Sequence, residues 1–198
     1  MAEKVPSYPI KIGPWQRLGS ECRYENPWIQ VFHEDVITPG NTRGIYGRVH
    51  FRGTAIGIIP VDEQGNTWLV GQYRYTLDEY SWEIPMGGCP EGELPLEAAK
   101  RELAEETGLR AKTWQQIQKL HPSNSVTDEC GLVFLAGDLE QGAMDLEPSE
   151  DIMVKKLSMM EAIEWVRQGK ITDAISVAGL LLVWSFYSNK DSWNEQDR

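Results

Sequence analysis

Glu102, Glu105 and Glu106 stand in the stretch AKRELAEETGL, spaced as neighbours on a helix surface. Like charges one turn apart repel and weaken a bare helix, so something must offset them. A divalent cation is the direct candidate. Carboxylates on one rigid face offer the hard oxygens that magnesium or manganese take, alongside water and phosphate oxygens. Arg101 precedes Glu105 by one turn and can hold that carboxylate in place. The alternative is an acidic face that is merely solvated, which is what most charge runs are. The residues upstream tell against it. EIPMGGCPEGE reads as a strand followed by a glycine-rich loop, and Gly87 and Gly88 would let backbone approach a ligand closely. A strand, a glycine loop and an acidic helix can together hold metal-bridged phosphates.

The elements that must position these acids are legible in outline. LPLEAAKRELAEET reads as a helix, with Pro95 in its first turn, strong helix formers inside and Gly108 just past its end. On a wheel, Leu96, Ala99 and Leu103 fall on one side, facing a sheet, with the acids on an adjacent side. Ahead of it, Trp28–Ile37 reads as a strand and the TPGNTRG run as a turn. Val49–Val61 reads as one long strand, Asp62–Asn66 as a hairpin loop and Thr67–Tyr75 as the return strand. After the helix, KTWQQIQKL, GLVFLAG and IMVKKL read as strands. Ser158-x-x-Glu161 opens a further helix with a capping box, and Ala174–Tyr187 forms the last one. Strands, a central helix, more strands and terminal helices define a mixed α/β fold with helices packed on sheets.

The chain has 198 residues and a formal net charge of -11. Such acidity argues against a partner read through its phosphate backbone, so no nucleic acid is expected. A small phosphate-bearing substrate stays open, because a metal inverts the local field. Three cysteines, with no C-x-x-C pair, fit neither a zinc knuckle nor a redox motif and suit a reducing, cytoplasmic setting. The three histidines, His33, His50 and His121, show no metal-ligand spacing. The N-terminus lacks the apolar segment of a secretory signal. The run Ala174–Tyr187 is too short for a membrane span and reads as a core or dimer helix.

The segment Gly87–Leu109 resembles the Nudix box, G-x5-E-x7-R-E-U-x-E-E-x-G-U with U aliphatic. Gly87, Glu93, Arg101, Glu102, Leu103, Glu105, Glu106, Gly108 and Leu109 match every fixed position. The resemblance implies an α/β/α sandwich with a mixed sheet. It also implies an N-terminal antiparallel β extension over residues 1–48, ahead of the Nudix domain at 49–198. The implied activity is hydrolysis of a diphosphate linked to another moiety, with Mg²⁺ as cofactor and Mn²⁺ as a substitute. Glu102 and Glu106 become the main metal ligands, with Glu105 a further ligand or water-orienting group. Arg101 positions Glu105, and Glu93 braces the loop. A backbone carbonyl of Met86 or Gly87 completes the metal shell.

The flanks, GTAIGIIPVDEQGNTWLVGQYRY, SWEIPMGG and the C-terminal strand and helices, resemble the subfamily that cleaves ADP-ribose and related nucleoside diphosphate sugars. That likeness implies three further roles. Arg74 grips a phosphate or the terminal ribose; the alternative is a surface arginine with a local carboxylate partner. Trp28 or Tyr24 stacks on the nucleobase; the alternative is packing in the core or at a dimer contact. Glu150, or else Glu147 or Glu140, activates water from the Gly137–Ile152 loop, unless those acids are only solvated. A homodimer is implied, with residues 1–48 reaching the partner's site. The rival substrates are GDP-mannose, dinucleoside polyphosphates and nucleoside triphosphates. A rival of another class is a non-catalytic binding module of the same fold.

Overall fold

The computed structural model describes residues 7–143 and 151–193, and these fall into two compact units. The first comprises the chain to Gly53 together with Ser123–Glu129. Its frame is an antiparallel meander of β1 (Ile10–Ile12), β2 (Trp15–Glu25), β3 (Ile29–Ile37) and β4 (Arg43–Phe51). The β2–β3 turn is made by Asn26, whose Oδ1 accepts from the amides of Trp28 (2.9 Å) and Ile29 (2.8 Å), the side-chain mimicry that suits Asn to turns. Buried Glu34 of β3 is held between Arg17 of β2 (3.1 Å) and Arg48 of β4 (3.3 Å). The 123–129 segment is tied on by Val49 N–H donating to Val126 O and by Asp128, which accepts from Phe51 N–H.

The second unit is built on two sheets. One, in the order β8-β5-β10-β9, comprises β5 (Gly53–Pro60), β8 (Met86–Pro90), β9 (Leu109–Leu120) and β10 (Gly131–Gln141). It is mixed: β5 and β10 run parallel, β9 and β10 antiparallel. The other, in the order β11-β6-β7, comprises β6 (Asn66–Arg74), β7 (Glu79–Glu83) and β11 (Met153–Ser158). Strand alternation sends side chains to opposite faces, and here it separates two cores. Ile56 and Ile58 of β5 and Phe134 and Ala136 of β10 pack with Ala98, Ala99 and Leu103 of helix α1 (Pro95–Thr107). Ile59 and Val133, from the opposite face, pack with α2 (Met159–Arg167), α3 (Ala174–Trp193) and the second sheet. The expected α/β/α layering results.

Local signals predicted both capped helices. Gly108 closes α1 at φ 69°, with its amide on Ala104 O, and Ser158 Oγ accepts from Glu161 N–H at the start of α2. Ile175, Leu180 and Val183 of α3 lie in the core. Among the described residues no helix is long and apolar enough to cross a membrane.

Three expectations are corrected. The single strand over Val49–Val61 breaks at Arg52, so that β4 pairs with β3 while β5 enters the mixed sheet. The turn at Asp62–Asn66 forms, but β5 and β6 share only the isolated bridge Val61–Thr67 and diverge into separate sheets. Gly87 and Gly88 belong to a strand, β8, rather than to a loop.

Candidate functional site

Helix α1 presents its acids as the spacing required, and its surroundings decide what each one touches. Arg101 is the hub. Its Nη1 donates to Glu102 Oε1 (2.7 Å) and Glu105 Oε2 (3.0 Å). Its Nε and Nη2 reach the two oxygens of Glu93 (3.2 and 3.1 Å), and Nη2 also donates to the carbonyl of Gly88 (2.9 Å). One planar fork thereby links three carboxylates and the glycine strand, which a point-charge ammonium cannot do. The bond to Glu93, with further support from those to Glu102 and Glu105, pushes the Arg101 pKa further up. The repulsion among the helix acids is therefore offset in part by this guanidinium.

Glu102 and Glu106, one turn apart, are 8% and 2% exposed. A buried carboxylate needs compensation. For Glu106 it includes the Met86 amide, which donates to Oε2 at 2.9 Å. For Glu102 it is Arg101, together with space left by a missing side chain. A Cβ on Gly87 would lie 2.0 Å from Glu102 Cδ, so only glycine admits the carboxylate there. Strand β8 thus carries the floor of the site, and its Cys89 sits 5% exposed in the core under α1. Burial, then the nearby Glu93, raises its thiol pKa.

These residues suit a divalent cation by their chemistry. Glu102 and Glu106 offer hard oxygens on a rigid helix face, beside a cradle that a Cβ at Gly87 would fill. Among the described residues no three His, Cys, Asp or Glu side chains already converge as a cation cage. Arg101 Nη1 stands between Glu102 and Glu105, and Glu106 turns to Met86 N–H. Met86 thus meets the acids through its amide, whereas its carbonyl was the expected ligand atom.

Arg74, at the end of β6, is paired with a carboxylate, but not as a surface pair. Its Nε donates to Glu83 Oε1 at 2.9 Å and its Nη2 to Oε2, and Glu83 is 3% exposed. That bidentate pairing with Glu83 raises the arginine pKa, and the charges of Asp173 and Glu106 add to it. Sequence reasoning passed over Glu83; an acid set between the apolar Trp82 and Ile84 was the available signal. It also passed over Ser176, which is fully buried and accepts from Ile84 N–H (3.1 Å) while donating to Asp173 (2.7 Å).

The remaining expected site residues lie on other elements. Tyr24 and Trp28 belong to the N-terminal unit and are 55% and 72% exposed, so neither is a core aromatic. Glu140 lies on strand β10, not in a loop, and pairs with Lys112. Glu147 and Glu150 lie outside the described residues. Two clefts, of about 400 and 580 Å³, are lined by residues including Asp62, Glu63 and Asp138, and neither touches the acidic helix; their size says nothing about the chemistry at α1.

The chain resembles known proteins in both family and fold. The NUDIX domain pattern matches residues 51–176, and the nucleoside diphosphate sugar hydrolase N-terminal domain matches residues 15–49. The chain belongs to the Nudix family. It is 34% identical over 175 residues to an ADP-ribose pyrophosphatase of Mycobacterium tuberculosis, covering 85% of this chain and 83% of that protein. It is 32% identical over 159 residues to an ADP-ribose pyrophosphatase of Bacillus subtilis, covering 79% and 85%. The crystal structure of an ADP compounds hydrolase shares the fold with a TM-score of 0.81 at 21% identity, over 91% of this chain and 98% of that one.

Proposed function

We propose that this protein is a Nudix hydrolase that cleaves the diphosphate bond of ADP-ribose or a related nucleoside diphosphate sugar, yielding a nucleoside monophosphate and a sugar phosphate. The relatives over most of the chain support the substrate class. The observation that carries the chemistry is the Arg101 fork on Glu93, Glu102 and Glu105 beside buried Glu106.

Glu102 and Glu106, with Glu105 and a backbone oxygen of the Met86–Gly87 strand, would hold a divalent cation, Mg²⁺ by preference and Mn²⁺ as a substitute, which would supply charge neutralisation of the diphosphate and activation of water. The chain's own part is positioning. Arg101 holds Glu102 and Glu105 in place through its Nη1. Met86 N–H fixes Glu106. Arg74 offers remaining N–H groups to phosphate oxygens. Attack by water forms one P–O bond as the bridging P–O bond breaks. The water's proton passes to a carboxylate within hydrogen-bond reach, Glu105 or a loop acid such as Glu150 or Glu147. Charge gathers on phosphate oxygens, so electrostatics and placement supply most of the rate.

The N-terminal β extension, residues 1–48, serves base binding through Trp28 or Tyr24 and homodimer formation in this reading. Free cysteines at Cys22, Cys89 and Cys130 suit the cytoplasm. The test is a panel of ADP-ribose, GDP-mannose, a dinucleoside polyphosphate and nucleoside triphosphates, with Mg²⁺ and then with a chelator, products being resolved by chromatography. AMP and ribose 5-phosphate from ADP-ribose, lost on chelation, are expected. Turnover of triphosphates alone refutes the substrate assignment.

A further inference from the structure

Glu83 is a buried acid with no assigned place in the diphosphate chemistry. Its carboxylate is tied bidentately to Arg74, and its side chain is 4% exposed against 37% for the arginine. Stability alone is a poor reason for such a pair. Desolvation of two charges consumes most of their attraction, and apolar replacements of buried ion pairs are often as stable. Position offers a better reason.

In the β6–β7 ladder Gln72 lies opposite Ser81 and Arg74 opposite Glu79. Alternate residues share a face, so Arg74, Gln72, Ser81 and Glu83 lie together. Arg74 therefore runs back along the ladder, past Ser81, to reach Glu83. This uses Nε and one Nη2 hydrogen; among the described residues Nη1 donates no hydrogen bond. Glu83 is itself fixed by the next residues of the chain. Ile84 N–H donates to Ser176 Oγ (3.1 Å), and two residues on Met86 N–H donates to Glu106 (2.9 Å). The carboxylate that holds Arg74 thus sits on the same short segment that anchors an acid of α1, and the guanidinium lies within the field of Glu106.

We propose that Glu83 is a positioning residue that acts through Arg74, locking the guanidinium so that its unengaged Nη1 edge faces the diphosphate beside Glu106. The proposal rests on the diphosphate-hydrolase reading. A rotamer-rich arginine held in advance loses less entropy on binding, so the effect belongs to ground-state affinity more than to turnover.

The test is a double-mutant cycle of Glu83→Gln and Arg74→Ala, read by KM and kcat on ADP-ribose and by calorimetric binding of ADP, which needs no turnover. Glu83→Gln should raise KM and the ADP Kd about tenfold, equivalent to about 1.4 kcal/mol, with kcat changed less than about threefold. In the Arg74→Ala background the same substitution should add nothing to either constant. It should also recover part of the Tm lost by Arg74→Ala, because that variant strands a buried carboxylate. Equal penalties in both backgrounds, or a wild-type KM in a folded Glu83→Gln protein, overturn the proposal. If Glu83→Gln does not fold, Glu83→Asp keeps the charge but withdraws it from Arg74; a raised KM and ADP Kd support the proposal and unchanged values overturn it. Wild-type protein that binds ADP but leaves ADP-ribose intact refutes the hydrolase reading, while the binding cycle still decides the role of Glu83.

Discussion

The backbone of Gly87 lies directly against the carboxylate of Glu102, so close that a methyl group on that glycine would stand 2.0 Å from Cδ. What stands in the way is the end of the Glu102 side chain, which is buried and held by Arg101 at 2.7 Å. Gly87→Ala should therefore push the carboxylate off its position while β8 survives. A misplacement of about 1 Å can cost about 100-fold in kcat/KM. Steady-state kinetics beside a near-native Tm would establish it; full activity would mean that Glu102 needs no fixed place.

Arg101→Lys keeps the charge and loses the fork. Lysine cannot serve Glu93, Glu102, Glu105 and Gly88 O together. The expected loss is about 1 kcal/mol after allowing for solvent screening, or a fall of about 2–4 °C in Tm, with a larger loss in kcat. Thermal denaturation and kinetics on one preparation separate the two effects.

Glu106→Gln is the sharpest test of the acidic helix. A glutamine oxygen can still accept from Met86 N–H, so folding should persist while the hard anionic ligand disappears. Replacing groups that merely support a ligand costs up to about 100-fold, and this change should cost at least that in turnover. Unchanged turnover would remove Glu106 from the site.

Asp62 supplies a pH-dependent contribution to stability. Burial by itself raises its pKa, but hydrogen bonds from Lys156 (2.8 Å) and Asn66 (3.0 Å) outweigh that and bring it to about 2, below the ordinary 3.8. A depressed folded-state value means that the stabilisation is complete above the unfolded value and is lost as pH falls from 3.8 towards about 2. Asp62→Asn should lower stability at neutral pH by about 1 kcal/mol, screening included. The variant and wild-type curves should converge near the low end of that window, as measured by urea denaturation across pH.

Local rules carried the reading of α1 because its determinants are local. Pro95, Gly108 and the spacing of Arg101, Glu102, Glu105 and Glu106 act within one or two turns, where helix geometry leaves little freedom. The β-rich parts were less legible. That Asp62–Asn66 is a turn follows from its residues, but whether the flanking strands pair depends on β8 and β10 competing for β5 and on β7 and β11 competing for β6. MGGCP reads as a loop by its glycines; it is a strand because β5 offers it a partner and α1 covers it.

By itself, then, the chain's order of residues determined a capped helix with an arginine and three acids on neighbouring positions, and a mixed α/β fold around it. Tertiary structure alone decided that Arg101 gathers Glu93 from 8 residues away, that Gly87 lies beneath Glu102, and that Arg74 pairs with buried Glu83. The division has a physical cause. Helical neighbours are set by a repeat of about 3.6 residues per turn that any sequence obeys, whereas contacts between strands and helices depend on which surfaces the whole chain can bury at once.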